Sequence, residues 1–211
     1  QSSCLAVKAA GINEGDLVVD VCAAPGGKTM YAAMLTGSEG HVISRDLIDK
    51  KTELIEENIE RLGLSNVTVQ VHDAREFDEE LTGKADVVIA DLPCSGLGIM
   101  GRKNDIKYHV SMESVKELAQ LQREILDTVC RYVKPGGTLV YSTCTIDSIE
   151  NDENAVWFAD THDFSLCGID DVVPEHGGER GFVTLHQGID ECDGFFISKF
   201  RADSNNQIGQ E

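Results

Sequence analysis

What most constrains this chain is an alternation of two hydrophobic periodicities. Short β-branched runs fall at Leu17–Val21, Val42–Ser44, Val67–Val71, Ala85–Ala90, Thr138–Ser142 and Phe195–Phe200, each bounded by Gly, Asp or Asn. Between them lie helical patterns. Ile48 to Leu62 places Ile48, Ile55, Ile59 and Leu62 on one face, and Val115 to Val133 does the same with Leu118, Leu121, Ile125, Val129 and Val133. Gly63 and the cluster Pro135-Gly136-Gly137 are expected to stop these two helices. Parallel strands need crossover connections, so strand and helix in regular alternation predict an α/β fold: a Rossmann-like, doubly wound, mostly parallel sheet with helices on both faces. After Ile169 the rhythm breaks, and Glu175–Gly181 reads as loop before the final strand.

With 211 residues the chain can bury one sizeable core, and it shows no internal repeat or second domain boundary. One domain over residues 1–201 is expected, with a polar, disordered tail over 202–211. No apolar run approaches the ~20 residues of a membrane helix, so no membrane association is expected. Seven cysteines, an odd number without a C-x-x-C pair, argue against a disulfide framework and against a metal site. A reduced, cytoplasmic compartment follows. The formal charge of −19 favours solubility and argues against an unaided grip on nucleic acid, because phosphate binding is chiefly the work of Lys and Arg. The N-terminus is neither basic nor followed by a signal-like apolar stretch, and the chain reads as a piece of something longer. Oligomeric state leaves no mark on the sequence.

In open α/β sheets ligands sit at the carboxyl ends of the strands. The first strand runs into Asp20-Val21-Cys22-Ala23-Ala24-Pro25-Gly26-Gly27-Lys28-Thr29, whose small residues allow close backbone approach to a ligand ahead of a helix N-terminus. It is neither G-x-G-x-x-G nor a P-loop, since Cys22 stands where the first P-loop glycine would be. Asp46, Asp73 and Asp91 follow the next three strands. Any one of them is an ordinary cap or loop carboxylate; together, beside the Gly-rich loop, they favour a nucleoside-containing cofactor. Asp91-Leu92-Pro93-Cys94-Ser95-Gly96 and Ser142-Thr143-Cys144-Thr145 then place Cys94 and Cys144 at the ends of two strands expected to be neighbours. Cys130 and Cys167 read instead as buried apolar residues.

These motifs resemble those of the S-adenosylmethionine-dependent RNA cytosine-5 methyltransferases, most closely the bacterial Sun (Fmu, RsmB) type that modifies small-subunit ribosomal RNA. Cys22–Thr29 is similar to the family's cofactor loop, Asp91–Gly96 to its Asp-x-Pro-Cys motif and Ser142–Thr145 to its Thr-Cys motif. Gln1-Ser2-Ser3 resembles the end of a motif preceding the catalytic core, and Asp193–Phe196 the closing strand. The resemblance implies a class I methyltransferase fold with S-adenosyl-L-methionine as cofactor and RNA, in the first instance small-subunit rRNA, as partner. It implies that Cys22, Ala23, Ala24, Pro25, Gly26, Gly27 and Lys28 wrap the methionine part of the cofactor. Asp46 would hold the ribose hydroxyls, Asp73 would lie by the adenine, and Asp91 would stand between cofactor and base. Cys144 would be the nucleophile, and Cys94 would assist release. It also implies an RNA-binding region N-terminal to this core, so that residues 1–211 alone would bind cofactor but hold RNA weakly. Arg45, Leu92 and Asn104 depart from the family pattern at positions without a catalytic role.

Carbon 5 of cytosine is a poor nucleophile until a thiolate has added at carbon 6, and that thiolate must later leave; two cysteines at one rim suit the two tasks. Lys28 reads equally as a partner of Asp91 or the target base and as a helix-surface lysine. Arg102, Lys103, Lys107 and Tyr108 form a local basic and aromatic patch suited to RNA, with a solvated loop as the competing reading. Three other functions remain open on sequence grounds. A tRNA methyltransferase would share the chemistry, a DNA-type enzyme would use Cys94 as nucleophile, and a non-catalytic RNA-binding assembly factor would keep the fold alone.

Overall fold

The computed structural model describes residues 2–103, 105–173 and 178–204, apart from the Glu179 side chain. Eight strands among these residues form a single sheet. In chain order the main elements are α1 (Ser2–Ala10), β1 (Leu17–Asp20), α2 (Gly27–Thr36), β2 (His41–Asp46), α3 (Asp49–Leu62), β3 (Val67–Val71), β4 (Ala85–Asp91), the single turn α4 (Ile106–His109), α5 (Met112–Val129), β5 (Val133–Thr143), α6 (Asp152–Thr161), β6 (Phe164–Leu166), β7 (Phe182–Leu185) and β8 (Phe195–Ala202). The sheet runs β3-β2-β1-β4-β5-β8-β6, with β7 on β8. β1 to β5 pair in parallel, whereas β8 is antiparallel to β5, β6 and β7. The strand order reverses between β1 and β4, which opens a crevice at their carboxyl ends. One apolar cluster, around Tyr132, Tyr141, Phe158, Phe196 and Phe200, fills one face of the sheet. A second, with α1 and α2 packed on Val42, Val87, Ile89 and Ile197, fills the other.

The structure corrects several sequence expectations. The Pro135-Gly136-Gly137 cluster does not stop α5, which begins on a Ser111–Ser114 capping box and ends at Val129 in a tight turn. The cluster lies within β5 as a bulge: Ala85 pairs with Val133 but Val87 with Thr138, and Gly136 at φ +70° supplies the left-handed residue the excursion needs. Helices α1 and α6 and strands β6 and β7 went unread in the sequence. β7 begins directly after the Glu175–Gly181 stretch expected to be loop. Ala202, assigned to the tail, is the buried last residue of β8, while 205–211 lie outside the described residues. Cys130 is buried as expected, but Cys167 is only half-buried. Gln1, Asn104 and 175–177 of the expected loop also fall outside the described residues.

Candidate active site

The crevice is built from the segments just past β1, β2, β4 and β5. After β1 the chain turns through Cys22–Gly26 into α2. Gly26 stands at φ +101°, in the left-handed region that a side chain rarely adopts, so the turn favours glycine there. The first-turn N–H groups of α2, from Gly27 onward, have no intrahelical acceptor and face an approaching ligand as donors. A Cβ built on Gly27 would meet nothing within 4 Å. Beside this turn the β1-terminal Asp20 is fully buried. Its Oδ2 accepts from Thr29 Oγ1 at 2.7 Å, and its Oδ1 has no partner. Burial pushes its carboxyl up to about 7 despite the Thr29 hydrogen bond.

Asp46 ends β2 almost wholly buried. It accepts from the Ala24 N–H at 3.2 Å and the Ile48 N–H at 3.3 Å, with Lys51 Nζ 3.7 Å away, so its carboxylate ties the first loop to the second. Asp73 lies two residues past β3, and its carboxylate is engaged by Arg75, at 2.6 Å to Nη2 and 3.0 Å to the backbone N–H. The Arg75 side chain holds its carboxyl below the ordinary carboxylate range.

Lys28 is not a surface lysine. Only 9% exposed, it donates from Nζ to Asp91 Oδ2 at 2.5 Å and sits 5.5 Å from the centre of the Phe195 ring. Asp91 Oδ1 accepts from Ser142 Oγ at 2.7 Å, so both oxygens of this carboxylate are held. β4 and β5 are neighbours, as expected, with Asp91 paired to Ser142. Their ends carry Cys94 and Cys144 with the two Sγ atoms 3.2 Å apart and both thiols free. The shared S–H···S contact with Cys94 holds the Cys144 thiol below its ordinary range, and the same contact together with burial raises that of Cys94. Cys22, the third cysteine at this rim, is raised by burial and by the charges of Asp20, Asp46 and Asp91. Of the three, Cys144 is the one whose surroundings favour a thiolate.

The structure thus gathers the first loop, Lys28, Asp46, Asp91, Cys94 and Cys144 into one crevice, while Asp73 turns its carboxylate to its own loop. The expected basic patch lies just beyond Cys94. Arg102 pairs with Asp193 at 2.9 Å, Lys107 Nζ sits 4.9 Å over the Tyr108 ring, and Tyr108 is 76% exposed. Sequence reasoning did not find Gln122 and Glu150, fully buried behind Cys94, or the close approach of Gly98 to Gly194. The glutamate four residues beyond Thr-Cys-Thr-Ile carried no signal by itself.

A family model described as 16S rRNA methyltransferase RsmB/F matches residues 8–201. The chain belongs to this family. It is 35% identical over 194 residues to Ribosomal RNA small subunit methyltransferase F of Escherichia coli O7:K1, an alignment that covers 90% of this chain and 40% of that protein. The chain therefore spans about 40% of the length of the curated relatives it matches. Among solved structures it is similar to a methyltransferase homolog protein from Pyrococcus horikoshii, with TM-score 0.82 and 28% identity over 95% of this chain and 66% of that one. It is also similar to NSun6 from Pyrococcus horikoshii with SFG, an analogue of S-adenosylmethionine, at TM-score 0.80 and 30% identity over 95% and 51% of the two chains. The sheet and its crevice are those of a class I methyltransferase. No helix among the described residues is long and apolar enough to cross a membrane.

Proposed function

We propose that this chain is the catalytic domain of an S-adenosylmethionine-dependent RNA cytosine-5 methyltransferase acting on small-subunit ribosomal RNA in the cytoplasm. The observation that carries the reading is the pair of thiols, Cys94 and Cys144, 3.2 Å apart at the end of the crevice, with the Lys28–Asp91 pair beside them. The residues present fit the cofactor. The unpartnered Oδ1 of Asp20, the free donors at the start of α2 and the open space over Gly27 suit the charged methionine end, while the buried Asp46 carboxylate suits a ribose diol. When bound, S-adenosylmethionine supplies an electrophilic methyl group.

In this reading the Cys144 thiolate adds to C6 of a cytosine swung out of its stack, and the electron pair of the 5,6 double bond moves into the ring toward N3. The Lys28–Asp91 pair stands at that edge: Asp91, itself held by Ser142, fixes the Lys28 ammonium, whose positive charge offsets the charge the ring gains. Carbon 5, now nucleophilic, takes the methyl group and keeps its own hydrogen. A water that Cys94 positions takes that proton to solvent; the pair left behind restores the double bond and expels the Cys144 thiolate. Arg102, Lys103 and Tyr108 would meet the RNA strand.

The test is methyl transfer to cytidine in small-subunit rRNA by the full-length gene product. Labelled methyl on C5 is expected, and its absence from rRNA despite tight cofactor binding would overturn the substrate assignment.

A further inference from the structure

Behind the two thiols lies a buried polar network that no step above uses. Gln122 on α5 donates from Nε2 to the Pro93 carbonyl at 2.9 Å and to Glu150 Oε2 at 3.0 Å. The same Glu150 oxygen accepts from the Ser95 N–H at 2.9 Å. The backbone is therefore held on both sides of Cys94, at the residue before it and the residue after it. The Ser95 and Thr145 hydroxyls, 2.8 Å apart, join the residue after Cys94 to the residue after Cys144. The orientation of the Gln122 amide is not free. Its Oε1 accepts from Asn154 Nδ2 at 2.9 Å, so its nitrogen must face Pro93 and Glu150. Glu150 is fixed in turn, its carbonyl accepting from the Tyr141 hydroxyl. Gln122, Glu150, Asn154 and Thr145 are all fully buried.

A buried carboxylate with one oxygen, Oε1, left without a partner is an expensive way to hold a loop. An apolar contact would stabilise the fold as well, but it could not grip a peptide N–H. We propose that Glu150, acting with Gln122, is a positioning residue that sets the separation of the Cys94 and Cys144 sulfurs and so the step that releases methylated product. The proposal deepens the functional reading and rests on it for the release step alone, since the geometric part concerns the two thiols without RNA. Removing the Glu150 side chain frees the Ser95 N–H and half of the Gln122 donor pair, so the Pro93–Ser95 segment relaxes and Cys94 moves away from Cys144. An amide at position 150 keeps an oxygen where Oε2 stands and keeps the grip.

The experiment has two arms on the full-length protein. In the first, without RNA, the alkylation rate of Cys144 by iodoacetamide is followed against pH, site by site, by mass spectrometry. Glu150→Ala is expected to move the midpoint upward to that of Cys94→Ala, while Glu150→Gln stays with the wild type. In the second arm, on rRNA containing ordinary cytidine, Glu150→Ala is expected to lower turnover about tenfold while the fraction of enzyme held as a denaturation-resistant RNA adduct rises. Thr145→Val, close to isosteric, carries both arms if Glu150→Ala does not fold, with the same direction expected. A midpoint unmoved in every folded variant overturns the proposal, as does a fall in turnover with an equal fall in adduct. If no enzyme, wild type included, methylates rRNA, the functional reading fails while the first arm still decides the geometry.

Discussion

Gly98 offers a sharp test of how closely the crevice is assembled. Its N–H donates to the Cys144 carbonyl at 3.0 Å, and its own carbonyl accepts from the Gly194 N–H at 2.9 Å, so one residue joins the loop after Cys94 to the end of β5 and to the entry of β8. Its φ is not in the left-handed region, so alanine there meets a clash and not backbone strain. A Cβ would stand 2.1 Å from the Gly194 carbonyl oxygen and 2.8 Å from that of Cys144. Ordinary contact begins near 3.4 Å, so the backbones must part by about 1.3 Å. That movement breaks both hydrogen bonds, at about 1 kcal/mol each, and adds overpacking of about 1–3 kcal/mol. Gly98→Ala should therefore destabilise by about 3–5 kcal/mol, lowering the melting temperature by roughly 6–20 °C in a chain of this size. Because the shift acts on the Cys144 backbone, methyl transfer should fall by about 100-fold where the variant is still folded. Denaturant unfolding and a cytidine methylation assay check the two figures. A variant within 0.5 kcal/mol of wild type and fully active would refute the reasoning.

Other residues give independent tests. Asp20 has a folded-state pKa raised from 3.8 to about 7, so between those values the folded protein holds a proton the unfolded chain has lost. Its contribution to stability is greatest at the acid end, falls as pH rises through that window and is flat above it; over the window it amounts to about 4 kcal/mol at most. Asp20→Asn should flatten that part of the stability–pH curve in denaturant unfolding, and an unchanged slope would contradict the assignment. Asp46→Ala should weaken cofactor binding by about 10–100-fold in titration calorimetry, since it removes a charged acceptor. Phe158 is fully buried, with ring centres of Phe200 at 4.8 Å and Phe164 at 5.2 Å, and Phe158→Ala should cost about 3–5 kcal/mol in the same unfolding assay with the thiols unaffected.

The parts of the molecule legible in the sequence were those written in local pattern. β3 runs over the residues its alternation marks, Val67–Val71, and the helix read over Ile48–Leu62 runs from Asp49. The strand-end residues were legible for the same reason: in a parallel sheet all carboxyl ends face one crevice, so Cys94 and Cys144, 50 residues apart, had to meet if β4 and β5 were neighbours. What stayed hidden was set by contacts with no local period. Gln122 lies on the buried face of α5 as any apolar residue would, and only the fold shows that its amide reaches Pro93. Gly98 and Gly194 are each ordinary until their backbones cross. The Pro135–Gly137 bulge carries the turn chemistry of a helix stop, but the stop comes earlier, at Val129. Asp73 was read from its place past β3; Arg75, two residues on, is what takes its carboxylate.

The central claim is the division of labour between the two thiols, and covalent trapping tests it most directly. The full-length gene product is incubated with S-adenosylmethionine and small-subunit rRNA carrying 5-fluorocytidine, whose fluorine cannot leave as a proton does, and adducts are resolved under denaturing conditions. Wild type and Cys94→Ala should form the adduct and Cys144→Ala should not. An adduct that survives Cys144→Ala and disappears with Cys94→Ala would contradict the account.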